Sequence, residues 1–120
     1  MKAFYASLAV FGLLCAVIIL NSLFVCQTAN QLTDLLEMLP ACEEATEAFK
    51  QAERFWEERR ALVALTAPHK DVEALNIQLL QIRAAIQTKD AHAFERARTL
   101  AIDAADYLQA LEKFSIDNLL

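Results

Sequence analysis

The stretch "AFYASLAVFGLLCAVIILNSLFVC", residues 3–26, runs for 24 residues without a charge. As a helix it would be about 36 Å long, against a hydrocarbon core of about 30 Å, so it can cross a bilayer with some tilt. A buried helix of a soluble protein would be exceptional here, because the run has no charged or strongly polar residue before Asn21. Cleavage as a secretory leader fits poorly. A cleavable leader carries a shorter apolar stretch, followed by small residues three and one before the cut. Here Phe24, Cys26 or Gln27 would stand at the outer of those positions and Cys26, Thr28 or Ala29 at the inner. Lipidation needs a small residue before the modified cysteine, yet Leu14 precedes Cys15 and Val25 precedes Cys26. The reading is therefore a transmembrane signal anchor over residues 1–27, kept in place, with residues 28–120 as the body it presents. The alternative is a secreted or periplasmic helical binding protein, released by cleavage near residue 29.

Orientation follows from flanking charge. Lys2 and the amino terminus lie on one side of the run, whereas Asp34 and Glu37 come first on the other and no cation appears before Lys50. The positive-inside rule then predicts a single-pass protein with a cytoplasmic amino terminus and an extracytoplasmic body.

Composition narrows the body. Apolar types make up 57% of the chain and aromatics 8%, with leucine, alanine and isoleucine prominent, a balance that favours helix over sheet. The single glycine, Gly12, sits inside the apolar run, which leaves no phosphate-cradling loop and no glycine hairpin turn for the rest. Lys and Arg number 11, one of them Lys2, against 16 Asp and Glu. That surplus of negative charge makes nucleic acid a poor partner.

Apolar spacing divides the body into helices. Residues 27–39 extend the anchor helix, with Leu32, Leu35, Leu36 and Leu39 on one stripe, until Pro40 ends it. A second helix is predicted over 42–66, facing Ala45, Ala48, Phe49, Ala52, Phe55, Trp56, Leu62 and Val63 inward. "TAPHKD" (66–71) reads as a loop, with Asp71 capping a third helix that runs to Thr88. Val72, Leu75, Leu79, Ile82 and Ile86 form one stripe of that helix, and Ile77, Leu80 and Ala84 form another. A helix apolar on two sides is expected to be sandwiched, so the third should be central. Asp90 caps a fourth helix to about Lys113, its inner stripe Phe94, Ala97, Ala101, Ala104, Leu108 and Leu111. Short loops require antiparallel neighbours, so the fold class is all-α: an up-down bundle of helical hairpins, about four helices in all, continuous with the transmembrane helix. The apolar tail "FSIDNLL" (114–120) is expected to fold back and dock on the bundle.

No catalytic, cofactor-binding or metal-binding residues are identified, and the chain does not read as an enzyme. His69 and His92 fall at opposite ends of the third helix and cannot share a metal. The carboxylate pairs Glu43/Glu47 and Asp103/Asp106 lie off the apolar stripes, where nothing raises a pKa for acid-base work. Candidate partner contacts are Trp56, His69, Phe114, Ile116, Leu119 and Leu120. Cys42, near a turn, is the candidate for a disulfide between two chains, which would make a homodimer.

The order of features, a span, the helix carrying Trp56, "HKDVEALNIQLLQIRAAIQTKD" (69–90) and the final "FSIDNLL", resembles the small bacterial membrane proteins grouped as the domain of unknown function 4363 family, found mainly in Firmicutes. In that family a histidine starts a helix of the form H-x-[acid]-hydrophobic-[acid], a "KD" turn follows, and the chain ends in a motif like "LSLENIL". His69, Asp71, Val72, Glu73, Lys89, Asp90 and the tail from Phe114 stand at the corresponding places, while the alanine-rich "ERARTLAIDAADYLQ" (95–109) departs from the family's leucine-rich, acidic pattern. The resemblance implies a bacterial membrane protein, supports the helical reading and brings no assigned activity; the chain itself reads as acting by contact with another envelope protein.

Overall fold

A computed structural model describes residues 1–119, the side chain of Leu119 excepted. The first helix, α1 (Lys2–Glu37), runs unbroken from the apolar run into the body. After Pro40 a short 3₁₀ turn (Cys42–Glu44) leads into α2 (Thr46–Val63), followed by α3 (His69–Thr88) and α4 (Ala91–Leu119). The described residues contain no strand. Each helix lies beside the next, and α4 closes the bundle by lying along α1, the most extensive pairing in the molecule. Its antiparallel direction is fixed by three contacts in opposite order along the two chains. Arg98 Nη1 donates to the Leu39 carbonyl (3.3 Å), Thr33 Oγ1 to Asp106 Oδ1 (3.5 Å), and Cys26 Sγ to the Gln109 carbonyl (3.7 Å).

The core is one cluster drawn from all four helices. Val25, Ala29, Leu32 and Leu36 come from α1, Phe49, Ala52, Trp56 and Val63 from α2, Val72, Leu75, Leu79 and Ile82 from α3, and Phe94, Ala97, Ala101, Ala105 and Leu108 from α4. The sequence echo Ala-Phe-x-x-Ala at 48–52 and 93–97 has a matching placement: Phe49, Ala52, Phe94 and Ala97 are all buried.

Four expectations are corrected. The third helix is not the central one, since Ile77 and Leu80 are 50% and 55% exposed and Ala84 is exposed too. The continuation of α1 past residue 21 takes the inner face of α4, leaving α3 with one buried stripe. The cap position of α3 is Pro68 rather than Asp71, which stands in its first turn with its amide bonded to the Pro68 carbonyl. Along α4 the inner stripe passes through Ala105 and Glu112 instead of Ala104 and Leu111. A straight helix keeps about 3.6 residues per turn, which carries the stripe one position further on after several turns. Finally, the tail does not fold back: α4 continues straight through it, leaving Phe114 exposed and Ile116 half-buried, while Leu120 lies outside the described residues.

The loops are set by local chemistry. Asp90 caps α4 as expected, its Oδ1 accepting from the Ala93 amide at 3.1 Å. Lys89 ends α3 in the left-handed region (φ 57°, ψ 36°), and the Asp90 amide reaches back to the Ala85 carbonyl, the six-residue closure of a Schellman turn. A β-carbon is disfavoured in that conformation, so Lys89→Gly is expected to raise stability by about 0.5–1 kcal/mol, read as a higher urea midpoint. A lower midpoint would show that the lysine side chain holds the turn.

Candidate functional site

Lateral packing of α1 begins at its sixth turn. From Lys2 to Leu20 every residue is exposed except the half-buried Cys15 and Ile19, whereas Ser22, Val25, Thr28 and Ala29 are buried against the bundle. Asn21 marks the change: its Nδ2 donates to Thr66 Oγ1 at 2.7 Å, tying the α2–α3 loop to the helix where the bare segment ends. The antiparallel course of α4 carries its last turns to the same end.

This end gathers His69, Phe114 and Ile116 from among the candidate partner contacts. His69 opens α3, exposed, three residues after Thr66. Trp56 is separate from them and buried, its Nε1 donating to Asn76 Oδ1 at 2.5 Å. It is a core residue, closed to a partner while the bundle is folded. The side chains of Leu119 and Leu120 lie outside the description. Sequence reasoning missed Leu62, placed in the core but half exposed, and Leu65, which is 72% exposed beside Thr66. The available signal was Asn21, the first strongly polar residue of the apolar run.

Cys42 is buried rather than poised for a disulfide, with its thiol directed at the Ala85 carbonyl (3.7 Å). Burial pushes the thiol above its ordinary range, and the carboxylates of Asp90, Glu43 and Glu95 push the same way. An unfolded thiol ionises near about 8.5, so above that pH unfolding releases a proton that the folded chain retains. Stability is unaffected by this group at lower pH and falls as pH rises past the unfolded value. The difference in unfolding free energy between wild type and Cys42→Ala should therefore shrink above that pH. A pH-independent difference would contradict the burial of the thiol.

The remaining polar side chains reinforce the frame. Arg98 bonds the Leu39 carbonyl, freed where α1 stops before Pro40, and pairs with Glu95 at 2.5 Å. Arg83 joins α3 to α2 through Glu53, and the Arg59 guanidinium lies 3.9 Å from the centre of the Phe55 ring. Among the described residues no three His, Cys, Asp or Glu side chains converge to hold a metal ion. Away from the end where α1 leaves the bundle, a groove of about 230 Å³ runs between α3 and α4, with Ile77, Gln81, Arg96 and Leu100 among its walls. No family model matches the chain, and no curated protein and no solved structure matches it.

Proposed function

We propose that this is a single-pass membrane protein whose helical bundle works outside the cytoplasm, through contact with another envelope protein rather than through catalysis. The observation that carries the reading is the unbroken course of α1. Its bare part is apolar on every side, with mean hydropathy 2.6 over its most apolar 18-residue window, as a helix in lipid must be. Tyr5, near its start, is the kind of residue that settles at a membrane interface. The same helix then supplies one wall of the core. Cleavage near residue 29, as a released binding protein requires, would strip Ser22, Val25, Thr28 and Ala29 from α4, which argues for retention.

A partner is suggested by the uncovered stripe of α3. Ile77 and Leu80 lie exposed there, and Leu100 of α4 is exposed on the far wall of the neighbouring groove. A second copy of the chain could also use this face, and the surplus of negative charge opposes contact with the phosphates of a nucleic acid. The motif that carries the likeness to the domain of unknown function 4363 family holds the frame of α3: Asp71 lies in its first turn, Val72 in the core, and Lys89 and Asp90 in its closing turn. Family membership belongs to this proposal.

The test is expression with a carboxy-terminal tag, followed by carbonate extraction, protease accessibility in spheroplasts, and intact mass. Full mass, retention in the membrane and an accessible tag are expected. Release with loss of the first 29 residues would overturn the anchor, and a protected tag on an intact, retained chain would reverse the orientation.

A further inference from the structure

We propose that the anchor-proximal end of the bundle is itself a lipid-binding surface, resting in the headgroup and acyl boundary through Leu62, Leu65 and Phe114. The proposal rests on the reading of α1 as a transmembrane anchor.

Three observations place these side chains at the bilayer. Leu65 adjoins Thr66, which is hydrogen-bonded to Asn21. Phe114 lies five residues beyond Gln109, whose carbonyl meets Cys26; at about 1.5 Å per residue on antiparallel helices, that sets Phe114 level with Asn21. The bare part of α1, residues 3–20, is about 27 Å long, slightly short of a hydrocarbon core of about 30 Å. Asp117, three residues further along α4 and about 5 Å closer to the span, needs the polar headgroups, so Leu65 and Phe114 lie in the headgroup and acyl boundary rather than in the hydrocarbon, with Leu62 one turn above.

Exposure and charge say what kind of contact this is. Leu65 is 72% and Phe114 67% exposed, and Leu23, two residues past Asn21 on α1, is also exposed. They continue the apolar surface of the span outward onto the underside of the bundle. The nearby cations do not form a basic patch. Arg59 pairs with Glu58 and Arg60 with Glu57, each at 3.5 Å, while Lys70 directly precedes Asp71 and Lys113 has Glu112 before it and Asp117 one turn on. The occupant is therefore the apolar boundary of the bilayer rather than an anionic headgroup, and contact should not require acidic lipid. Seating three side chains there would hold the bundle upright on its anchor and limit its tilting.

The experiment uses the full chain carrying Cys15→Ala and Cys26→Ala, with Cys42 left shielded in the core. Single cysteines are introduced as Leu65→Cys, Phe114→Cys, Leu13→Cys in the span and Gln87→Cys at the opposite end of the bundle. Each is labelled with an environment-sensitive fluorophore and reconstituted in phosphatidylcholine vesicles, with and without phosphatidylglycerol. Nitroxides at two lipid depths serve as quenchers. The expected result is deep quenching at position 13, blue-shifted emission with shallow quenching at 65 and 114 in both lipid mixtures, and neither effect at 87. Water-like, unquenched labels at 65 and 114 beside a quenched label at 13 would overturn the proposal and leave the anchor standing. Blue-shifted but unquenched labels at 65 and 114 would overturn it in favour of protein covering that end. Shallow quenching found only with phosphatidylglycerol would overturn its apolar basis. An unquenched label at 13 would overturn the anchor and this proposal together.

Discussion

A chain begun at Leu20 is expected to remain a cooperatively folding helical bundle in water, whereas one begun at Asn30 should lose most of its stability. The difference between them is under three turns of α1, but those turns carry Ser22, Val25, Thr28 and Ala29, all buried, with Phe24 packed at the edge of the core. Losing the burial of Val25, Ala29 and part of Phe24, together with the Asn21–Thr66 hydrogen bond, costs on the order of 4–6 kcal/mol. A domain of this kind has about 5–15 kcal/mol in all, so the shorter chain would stand near the unfolding threshold. Thermal unfolding followed by far-UV circular dichroism compares the two. Equal midpoints would mean that the first half of the bundled α1 is dispensable, and that the bundle would survive cleavage near residue 29.

The helical class, the break at Pro40 and the Asp90 cap were legible because each depends on a local rule: apolar spacing, a missing amide, a carboxylate that accepts from the first turn. The division of α1 was harder to read. Apolar composition marks residues 3–26 as one run, yet the structure places Ser22 and Val25 in the bundle and leaves the helix bare only up to Leu20. Small and moderately apolar residues suit lipid and protein equally, so no local rule separates the two uses; the partner helix decides. Ile77 and Leu80 fail for the same reason. Two apolar stripes on α3 do announce a helix with two neighbours, but which helix takes the second place depends on how far α1 extends, a matter of tertiary pairing.

The candidate contacts divide along the same line. Trp56 could be a core residue or an exposed anchor by its position on the inner stripe, and Asn76, which takes its indole hydrogen bond, is twenty residues away on another helix. His69, Phe114 and Ile116 are distant in sequence and meet at one end only because α4 runs back along α1 past the residue where Thr66 is tied. Cys42 read as available because it lies near a turn; its burial comes from the approach of α3, through the Ala85 carbonyl, which nothing near residue 42 discloses.

Trp56→Ala is expected to cost about 3–5 kcal/mol, the largest loss from any single substitution in the bundle. Trp56 is the largest fully buried side chain, and its removal leaves a cavity between α2 and α3 that the flanking leucines cannot fill without leaving their rotamers. The hydrogen bond separates from the packing by a second variant. Trp56→Phe keeps most of the apolar volume and removes the donor to Asn76, so about 1–2 kcal/mol should be lost. Asn76 also donates to Glu73 Oε1 at 3.3 Å, at the exposed rim of α3, where water can replace the lost indole. The phenylalanine variant should therefore fall at the lower end of that range, and adding Asn76→Ala to it should cost little more. Urea unfolding followed by circular dichroism gives all the values on one scale. A Trp56→Phe loss as large as that of Trp56→Ala would place the energy in the hydrogen bond rather than in the volume of the ring. A negligible loss for Trp56→Ala would mean that α2 and α3 do not close over the indole, and Trp56 would return as a surface for a partner.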